Sequence, residues 1–486
     1  MTRLFVSPPI ATRSPSNKTY VALSLAAAML AGCATSSPNP PPTAMPANVP
    51  AAWSAPLPHG GSSTNLSRWW QSLGDPVLVQ LIEAAQAVSP GVASATSRIA
   101  QARAALGAAS GANQPTLDAS LSAQRGVTSA SPTAATALQA NLGAAWEVDL
   151  FGANRDTARA AEARLQGSSA QWHEARVSVA AETATLYTNW HTCQQLLTVV
   201  QQDAASRAET ARLSALSAHA GLTAPAVSAL ARASAAEGKA RVTQQKGLCD
   251  STVLGLVALT ALPEAELRAK LGAALSTNAG HTMPAVASVP AEVLAQRPDL
   301  YAAQREVAAA SAELGSAEAQ RYPRLTLSGS VGALNYTNAA GTTDLSTWSI
   351  GPVTLSLPIL DGGRRAANVQ AASARYTEAA ALYQARVRQA VREVEEALLT
   401  LDNTRSQLGD AVTVTQGYTA SYNAAEARYK AGSASLPELE EARRFALAAQ
   451  TDLLQLQLRH RTAWIALYRA LGGGWNVNNT DSEAKS

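Results

Sequence analysis

The sequence predicts a mainly α-helical chain with four β-strands, built by internal duplication. Three observations lead there. The chain repeats itself at a long, nearly constant spacing. Four segments alternate strictly between apolar and polar residues. The segments after them place apolar residues or alanine every third or fourth position over very long runs.

The repeat is read residue against residue. "SPGVASATSRIAQARAALGAASGANQPTLDASLS" from Ser89 aligns with "RPDLYAAQREVAAASAELGSAEAQRYPRLTLSGS" from Arg297. Pro298 stands 208 residues after Pro90, and Gly315, Pro323 and Leu325 stand at the same distance from Gly107, Pro115 and Leu117. The offset grows to 210 at Gly362 against Gly152, and to 211 at Gly432 against Gly221. Such slips are what short loop insertions produce.

In chain order, residues 1–32 come first. Arg3, Arg13 and Lys18 accompany a short, mostly apolar run from Tyr20 to Ala31. That is the layout of a secretory signal, too short to span a bilayer. "LAGC" then resembles the bacterial lipobox, in which the cysteine, here Cys33, becomes the first mature residue and is acylated. An ordinary cleavage site with a chance cysteine is the alternative. Acyl chains contribute about 0.8 kcal/mol per buried CH₂, so a multiply acylated Cys33 anchors firmly. Ala34 is not the Asp that retains lipoproteins at the inner membrane, so the outer membrane is expected. Residues 33–66 form a stiff tether, with prolines at 38, 40, 41, 42, 46, 50, 56 and 58.

Removing 32 residues from 486 leaves 454, and the formal charge of +3 loses three positive charges. The near-neutral body has no basic field for nucleic acid. No later run reaches 18 apolar residues, so no membrane-spanning helix is expected.

The first repeat is expected over 67–280, the second over 281–474, and a polar tail over 475–486. Each repeat opens with a helix, roughly 75–113 and 291–321. A proline follows, and the period changes to two. Strands are expected at about 115–128 and 136–150, and again at about 323–336 and 347–360. In "QPTLDASLSAQ", Leu117, Ala119, Leu121 and Ala123 share one face, and Asp118, Ser120, Ser122 and Gln124 the other. In "LQANLGAAWEVDL", Leu138, Leu142, Trp146, Val148 and Leu150 lie opposite Gln139, Asn141, Glu147 and Asp149. Pro352 disturbs the register of "WSIGPVTLSLPIL". Such strands suit a transmembrane barrel or a half-buried hairpin on a soluble domain, and the residues alone leave both open.

Long helices are expected at about 153–220 and 224–262, and at about 363–431 and 436–471. From Tyr376, a seam runs through 380, 383, 387, 390, 394, 397 and 401, then Leu408, Ala411, Tyr418, Tyr422, Ala425 and Tyr429. The alternation of four and three is a heptad pattern, and residues 363–431 make a helix of about 100 Å. The last helix carries Leu439, Ala442, Ala446, Ala449, Leu453, Leu456, Ala463, Leu467 and Ala470. Alanine at so many seam positions brings helices close together. "SAHAGLTAP" and "RYKAGSASLP" form tight tips, where Gly221 and Gly432 end a helix. Cys193 and Cys249 each lie 28 residues from Gly221, on opposite arms of the first hairpin. That symmetry predicts a disulfide in an exported protein, against the alternative of two unrelated buried thiols.

Five segments resemble the TolC-type outer-membrane efflux family, and within it the lipoprotein branch of OprM and NodT. They are "RWWQSLGDPVLVQLIEAA", "WEVDLFG", "QRPDLYAAQREVAAASAELGSAEAQRYPRLTL", "LSLPILDGGRR" and "YKAGSASLPELEEARR". The likeness covers nearly all of the mature chain. It departs at "VSPGV", where the family more often has an Asn-Pro-x-Leu step. The resemblance makes the four strands a membrane β-barrel portion, and it implies a homotrimer whose 12-stranded β-barrel continues into a periplasmic α-helical tunnel. Strand arithmetic agrees, because four strands cannot close a barrel of useful bore and three chains give about twelve.

The resemblance further implies passive conduction of drugs or other small molecules out of a Gram-negative cell. An inner-membrane pump of the RND type and a periplasmic adaptor (membrane fusion) protein would feed the channel. Gly221, Leu222, Gly432 and Ser433 at the tips would meet the adaptor. Glu438 and Glu441 match positions where the family places acids around a closed periplasmic gate. Three copies would make rings of carboxylates; the plain alternative is acids favoured at a helix N-terminus. Gly152, Gly362 and Gly363 would be the bends from barrel to tunnel. Two rival readings are an exit duct for secreted proteins and a non-pore coiled-coil scaffold, for which alternating strands have no use. An enzyme is not expected. Histidines at 59, 173, 191, 219, 281 and 460 are scattered, and no HExxH, CxxC or glycine-rich phosphate loop occurs. No catalytic residue, metal or cofactor is therefore assigned.

Overall fold

The computed structural model describes residues 53–57, 69–128, 131–276 and 294–475. Cys33, the leader and most of the tether lie outside the described residues. Helices α1 (Trp69–Ser72), α2 (Pro76–Val88) and α3 (Pro90–Gly111) lead into strands β1 (Thr116–Thr128) and β2 (Ser131–Val148). Helices α4 (Ala153–His219), α5 (Pro225–Thr260) and α6 (Glu264–Ser276) follow. The second repeat runs α7 (Pro298–Ala319), β3 (Arg324–Asn338), β4 (Gly341–Ser356), α8 (Arg364–Lys430) and α9 (Leu436–Ala470). A 3-10 turn at Gly472–Gly474 leads to Trp475, the last described residue.

Two compact units cut across the repeats. One holds Pro115–Ala153 and Leu314–Val369; the other holds the described residues up to Gln114, Asn154–Glu313 and those from Gln370 onward. The first is a four-stranded antiparallel sheet in the order β1-β2-β3-β4. Its central pairing, β2 with β3, joins one repeat to the other. The register stacks Ala119, Leu142, Val331 and Trp348 in one row, and Leu117, Ala144, Gly329 and Ile350 in the next. One face therefore carries Leu117, Leu121, Leu138, Leu142, Trp146, Val331, Trp348, Ile350 and Val353, and all of them are exposed. Pro352 is absorbed by a bulge. Leu327 pairs with Val353 and Gly329 with Ile350, so Ser328 alone faces Gly351 and Pro352. The extra residue returns Val353 to the apolar face and spares a donor that proline lacks.

Four strand limits need correction. β2 begins at Ser131 rather than 136, and β4 at Gly341 rather than 347, because both ladders run up to their turns, pairing Thr128 with Ser131 and Asn338 with Gly341. β2 stops at Val148, which leaves Leu150 outside it, and β4 stops at Ser356, two residues short of Pro358.

The opening helix expected over 75–113 is two helices bent by 49°. Ser89 is extended at φ -63°, ψ 122°, closes α2 and caps α3 through Val92 N. Pro90 forces this, since it has no N–H and pushes the residue before it out of the helical region. Helix α6 was not foreseen; Ala261 in the left-handed region and Pro263 separate it from α5.

The second unit is helical. Trp69, Leu81, Tyr187, Leu256, Leu267, Leu398 and Leu467 are fully buried in its main core. Each such side chain contributes roughly 1.5–3 kcal/mol on leaving water. In α8 the seam holds through Val387, Ala390, Val394, Ala397 and Leu401, but Tyr418 is exposed. Thr415 takes the seam position instead, and its hydroxyl donates to the Ala449 carbonyl at 3.1 Å. Alanine clusters do bring helices together: Ala160 and Ala163 of α4 pack on Ala309 of α7. The tail expected from 475 begins later, because Trp475 is 6% exposed and packs on Ala170, Ala302 and Tyr301. Its approach needs glycine: Gly472 sits at φ +79°, and a Cβ there would lie 2.4 Å from the Gln296 carbonyl oxygen. Among the described residues no single helix is long and apolar enough to cross a membrane.

Candidate functional site

Apart from Cys193 and Cys249, the predicted site residues of the helical unit lie at the ends of two antiparallel hairpins, α4–α5 and α8–α9. Both turns use one backbone solution. Gly221 at φ +71° donates to the Ala218 carbonyl, and Leu222 N donates to the Ser217 carbonyl at 2.9 Å. Gly432 at φ +76° and Ser433 repeat this with the carbonyls of Tyr429 and Arg428. The paired bonds satisfy carbonyls that a helix end leaves open, and the left-handed residue between them is cheapest as glycine.

The side chains then differ. At the first tip Leu222 is 78% exposed, with Leu216 and Leu230 exposed nearby. The following helix starts at Pro225 without a side-chain cap. At the second tip Ser435 caps α9 by accepting from Glu438 N. Arg428 donates to the Glu438 carboxylate at 2.7 Å, closing the turn with a surface ion pair. Glu441 is exposed and stands 3.8 Å from Arg444. The two predicted gate carboxylates thus do different things: Glu438 ties its own tip, and Glu441 stays exposed.

Glu440, which the sequence reading passed over, lies at the centre. Its Oε2 accepts from Arg207 Nη1 and from Ser234 Oγ, each at 3.0 Å. Arg443 Nη1 donates to its Oε1. Arg207 also donates to Asp203 at 2.8 Å. Arg443 Nη2 reaches Thr210 at 3.0 Å and Ser206 at 3.2 Å. Ser206 Oγ and the Tyr422 hydroxyl lie 2.7 Å apart, and both meet Glu426 Oε1. Burial works against the Glu426 charge, yet Lys430, Ser206 and Tyr422 hold the carboxyl below its usual range. Farther along, Ser214 Oγ and the Tyr429 hydroxyl are 2.8 Å apart. One polar network therefore binds α4 and α5 to α8 and α9.

Arg207 and Arg443 are only 5% and 2% exposed. Buried charges persist only when paired and hydrogen-bonded, and a buried network favours one arrangement of its parts over others. A signal for Arg443 existed: it follows Leu439 by four and precedes Ala446 by three, a cation on an apolar seam.

Away from the tips, Cys193 and Cys249 are disulfide-bonded with Cα atoms 5.6 Å apart, tying α4 to α5. In the sheet unit, Gly152, Gly362 and Gly363 adopt φ of +84°, +66° and +86° where strands give way to helices. The Asp361 carboxylate accepts from Gly363 N and Arg365 N, capping α8.

The profile of a family described as outer membrane efflux protein matches residues 81–262 and 289–473. The solvent efflux pump outer membrane protein SrpC of Pseudomonas putida is 28% identical over 467 residues, covering 93% of this chain and 97% of its own. The pyoverdine export outer membrane protein OpmQ of P. putida is 29% identical over 459 residues, covering 92% and 96%. The crystal structure of the Campylobacter jejuni CmeC outer membrane channel matches with a TM-score of 0.80 at 23% identity, covering 92% of this chain and 97% of that one.

Proposed function

The chain belongs to the outer membrane efflux protein family, whose members are channels rather than enzymes, and we propose that it is the exit duct of a tripartite efflux system. The sheet carries this reading. One face is apolar across all four strands, and among the described residues β1 and β4 each have one unpaired edge. Edge N–H and C=O groups cannot stay unpaired in hydrocarbon. Three copies close the edges into twelve strands, with the apolar face to lipid and the row of Asp118, Ser120, Ser122, Gln139 and Asn141 lining the bore.

The two repeats, 67–280 and 281–474, are duplicates that each supply one strand pair and one long hairpin. Residues 1–32 are the signal, and Cys33 carries the acyl anchor at the head of the 33–66 tether. Gly152, Gly362 and Gly363 bend the chain from barrel to tunnel. The tips, at Gly221, Leu222, Gly432 and Ser433, receive the periplasmic adaptor, and an inner-membrane pump of the RND type drives cargo through it. The Arg207–Glu440–Arg443–Tyr422 network holds the periplasmic gate shut, and Glu441 supplies a carboxylate ring around the closed end, with Glu438, paired to Arg428, beside it. Cargo is small molecules, selected by the pump. The cargoes in the relatives' names, solvent and pyoverdine, differ widely, which suits an unselective duct.

Native mass spectrometry of protein extracted from outer membranes tests this. Three acylated chains per particle, conducting in planar bilayers, is the expected result. A monomer without conductance rejects the channel and favours the scaffold.

A further inference from the structure

Ahead of α1, a short strap of five described residues crosses the helical unit far from its own neighbours in sequence. Ser54 N donates to Glu395 Oε1 at 2.6 Å, and Ala55 N donates to Glu395 Oε2 at 2.8 Å. The donors and the acceptor are 341 and 340 residues apart. Two successive backbone N–H groups converging on one carboxylate make a small anion nest, and the ionised acceptor strengthens both bonds. Hydrophobic burial holds the strap to the helical unit as well. Trp53 is 8% exposed and belongs to the main core, with Ala55 and Leu57 packed against it. Val394 and Leu398, which flank Glu395 on α8, belong to that core too.

We propose that Glu395 is a cleat for the N-terminal strap, holding residues 53–57 to α8. The consequence for anchoring rests on the acylation of Cys33 proposed above. From Cys33 to Trp53 is twenty residues, at most about 70 Å when fully extended. With residues 53–57 released, the first held point after Cys33 would be Trp69 of α1, thirty-six residues on and at most about 125 Å away. Glu395 and the buried Trp53 together thereby set the reach between the lipid anchor and the helical unit.

Amide hydrogen exchange, read by mass spectrometry on the detergent-extracted full chain, tests the cleat. Two variants attack it from opposite sides. Glu395→Gln removes the charge, and Ala55→Pro removes a donor while leaving Glu395 in place. In each, the amides remaining in residues 53–57 are expected to exchange at least tenfold faster than in the wild type, with the α8 peptide around Val387–Leu401 unchanged. Wild-type exchange in 53–57 that neither variant alters overturns the proposal. The mass of the N-terminal peptide reports acylation separately, and Cys33→Ser leaves the exchange result intact, so the two readings fail independently.

Discussion

The two long hairpins turn on the same backbone device and diverge in their side chains. In α4–α5 the arms are joined covalently by Cys193 and Cys249, and the tip is apolar and bare, with Leu222 outermost. In α8–α9 no such bond occurs, the tip is laced by Arg428 and Glu438, and the arms carry Glu440 and Arg443. Duplication kept the glycine turn, which is a matter of φ, and released the side chains to specialise. The first hairpin is a braced post. The second supplies most of the charges that reach across and fasten it to the post.

The strongest way to break that contrast is to cut the fastening. Arg443→Met leaves the Glu440 carboxylate with fewer partners in a buried setting, a loss of about 3–5 kcal/mol. Denaturant unfolding in detergent should show that loss, and planar-bilayer current should rise as the gate loosens. Unaltered current would separate the network from gating.

Next in size is the brace. A Cys193→Ser/Cys249→Ser protein should lose about 2–4 kcal/mol, because the bridge closes a long loop in the unfolded chain. Hydrogen exchange should accelerate in α5 and not in α9; equal acceleration would mean that the brace serves both hairpins.

Glycines inside the two hairpins give effects of opposite sign. A Cβ at Gly238 would stand 3.0 Å from Arg207 Cδ and 3.2 Å from Ala204 Cα, whereas Gly417 has open space. Gly238→Ala should therefore cost roughly 1 kcal/mol through overpacking. Gly417→Ala should add about 0.5–1 kcal/mol of helix stability. Thermal unfolding of the pair reads the sign directly.

Acid should distinguish the hairpins most gently. Burial, with Arg405 and Arg461 nearby, holds the His460 imidazole below its ordinary range. Trp464 Nε1 donates to its Nε2, and Nδ1 lies 2.9 Å from Thr404 Oγ1, an arrangement that suits the neutral ring. The unfolded chain takes the proton first as pH falls. The stability is complete above the ordinary histidine value, about 6.5, and declines as pH drops through the folded one. Exchange in α9, corrected for intrinsic rate, should quicken slightly between about pH 7.5 and about pH 5.5, with α5 unmoved. A His460→Gln protein should lack that response.

What could be read from residues alone was whatever repeats locally. Heptad spacing located α8 and α9, and alternation located the strands, since each pattern is a property of neighbours. The cysteine pair was legible for a similar reason, being symmetric about a glycine turn. Long-range pairing was not. Nothing near Leu142 or Val331 says that β2 lies beside β3, because that depends on residues about 190 positions apart in sequence. Glu440 stood between two acids that drew the eye, and only the packing of four helices shows which of the three points inward. Trp53, set among prolines, looked like part of a tether and is core.

The open edges of the sheet carry a consequence for genetics. If a barrel closes only when three copies each supply both edges, one faulty copy spoils its two sound partners. In a cell making equal amounts of intact and edge-blocked chain, for example with proline placed in β1, only about one ring in eight would be wholly intact. Such an allele should be dominant, and drug susceptibility would rise far more than the halved gene dose alone would suggest.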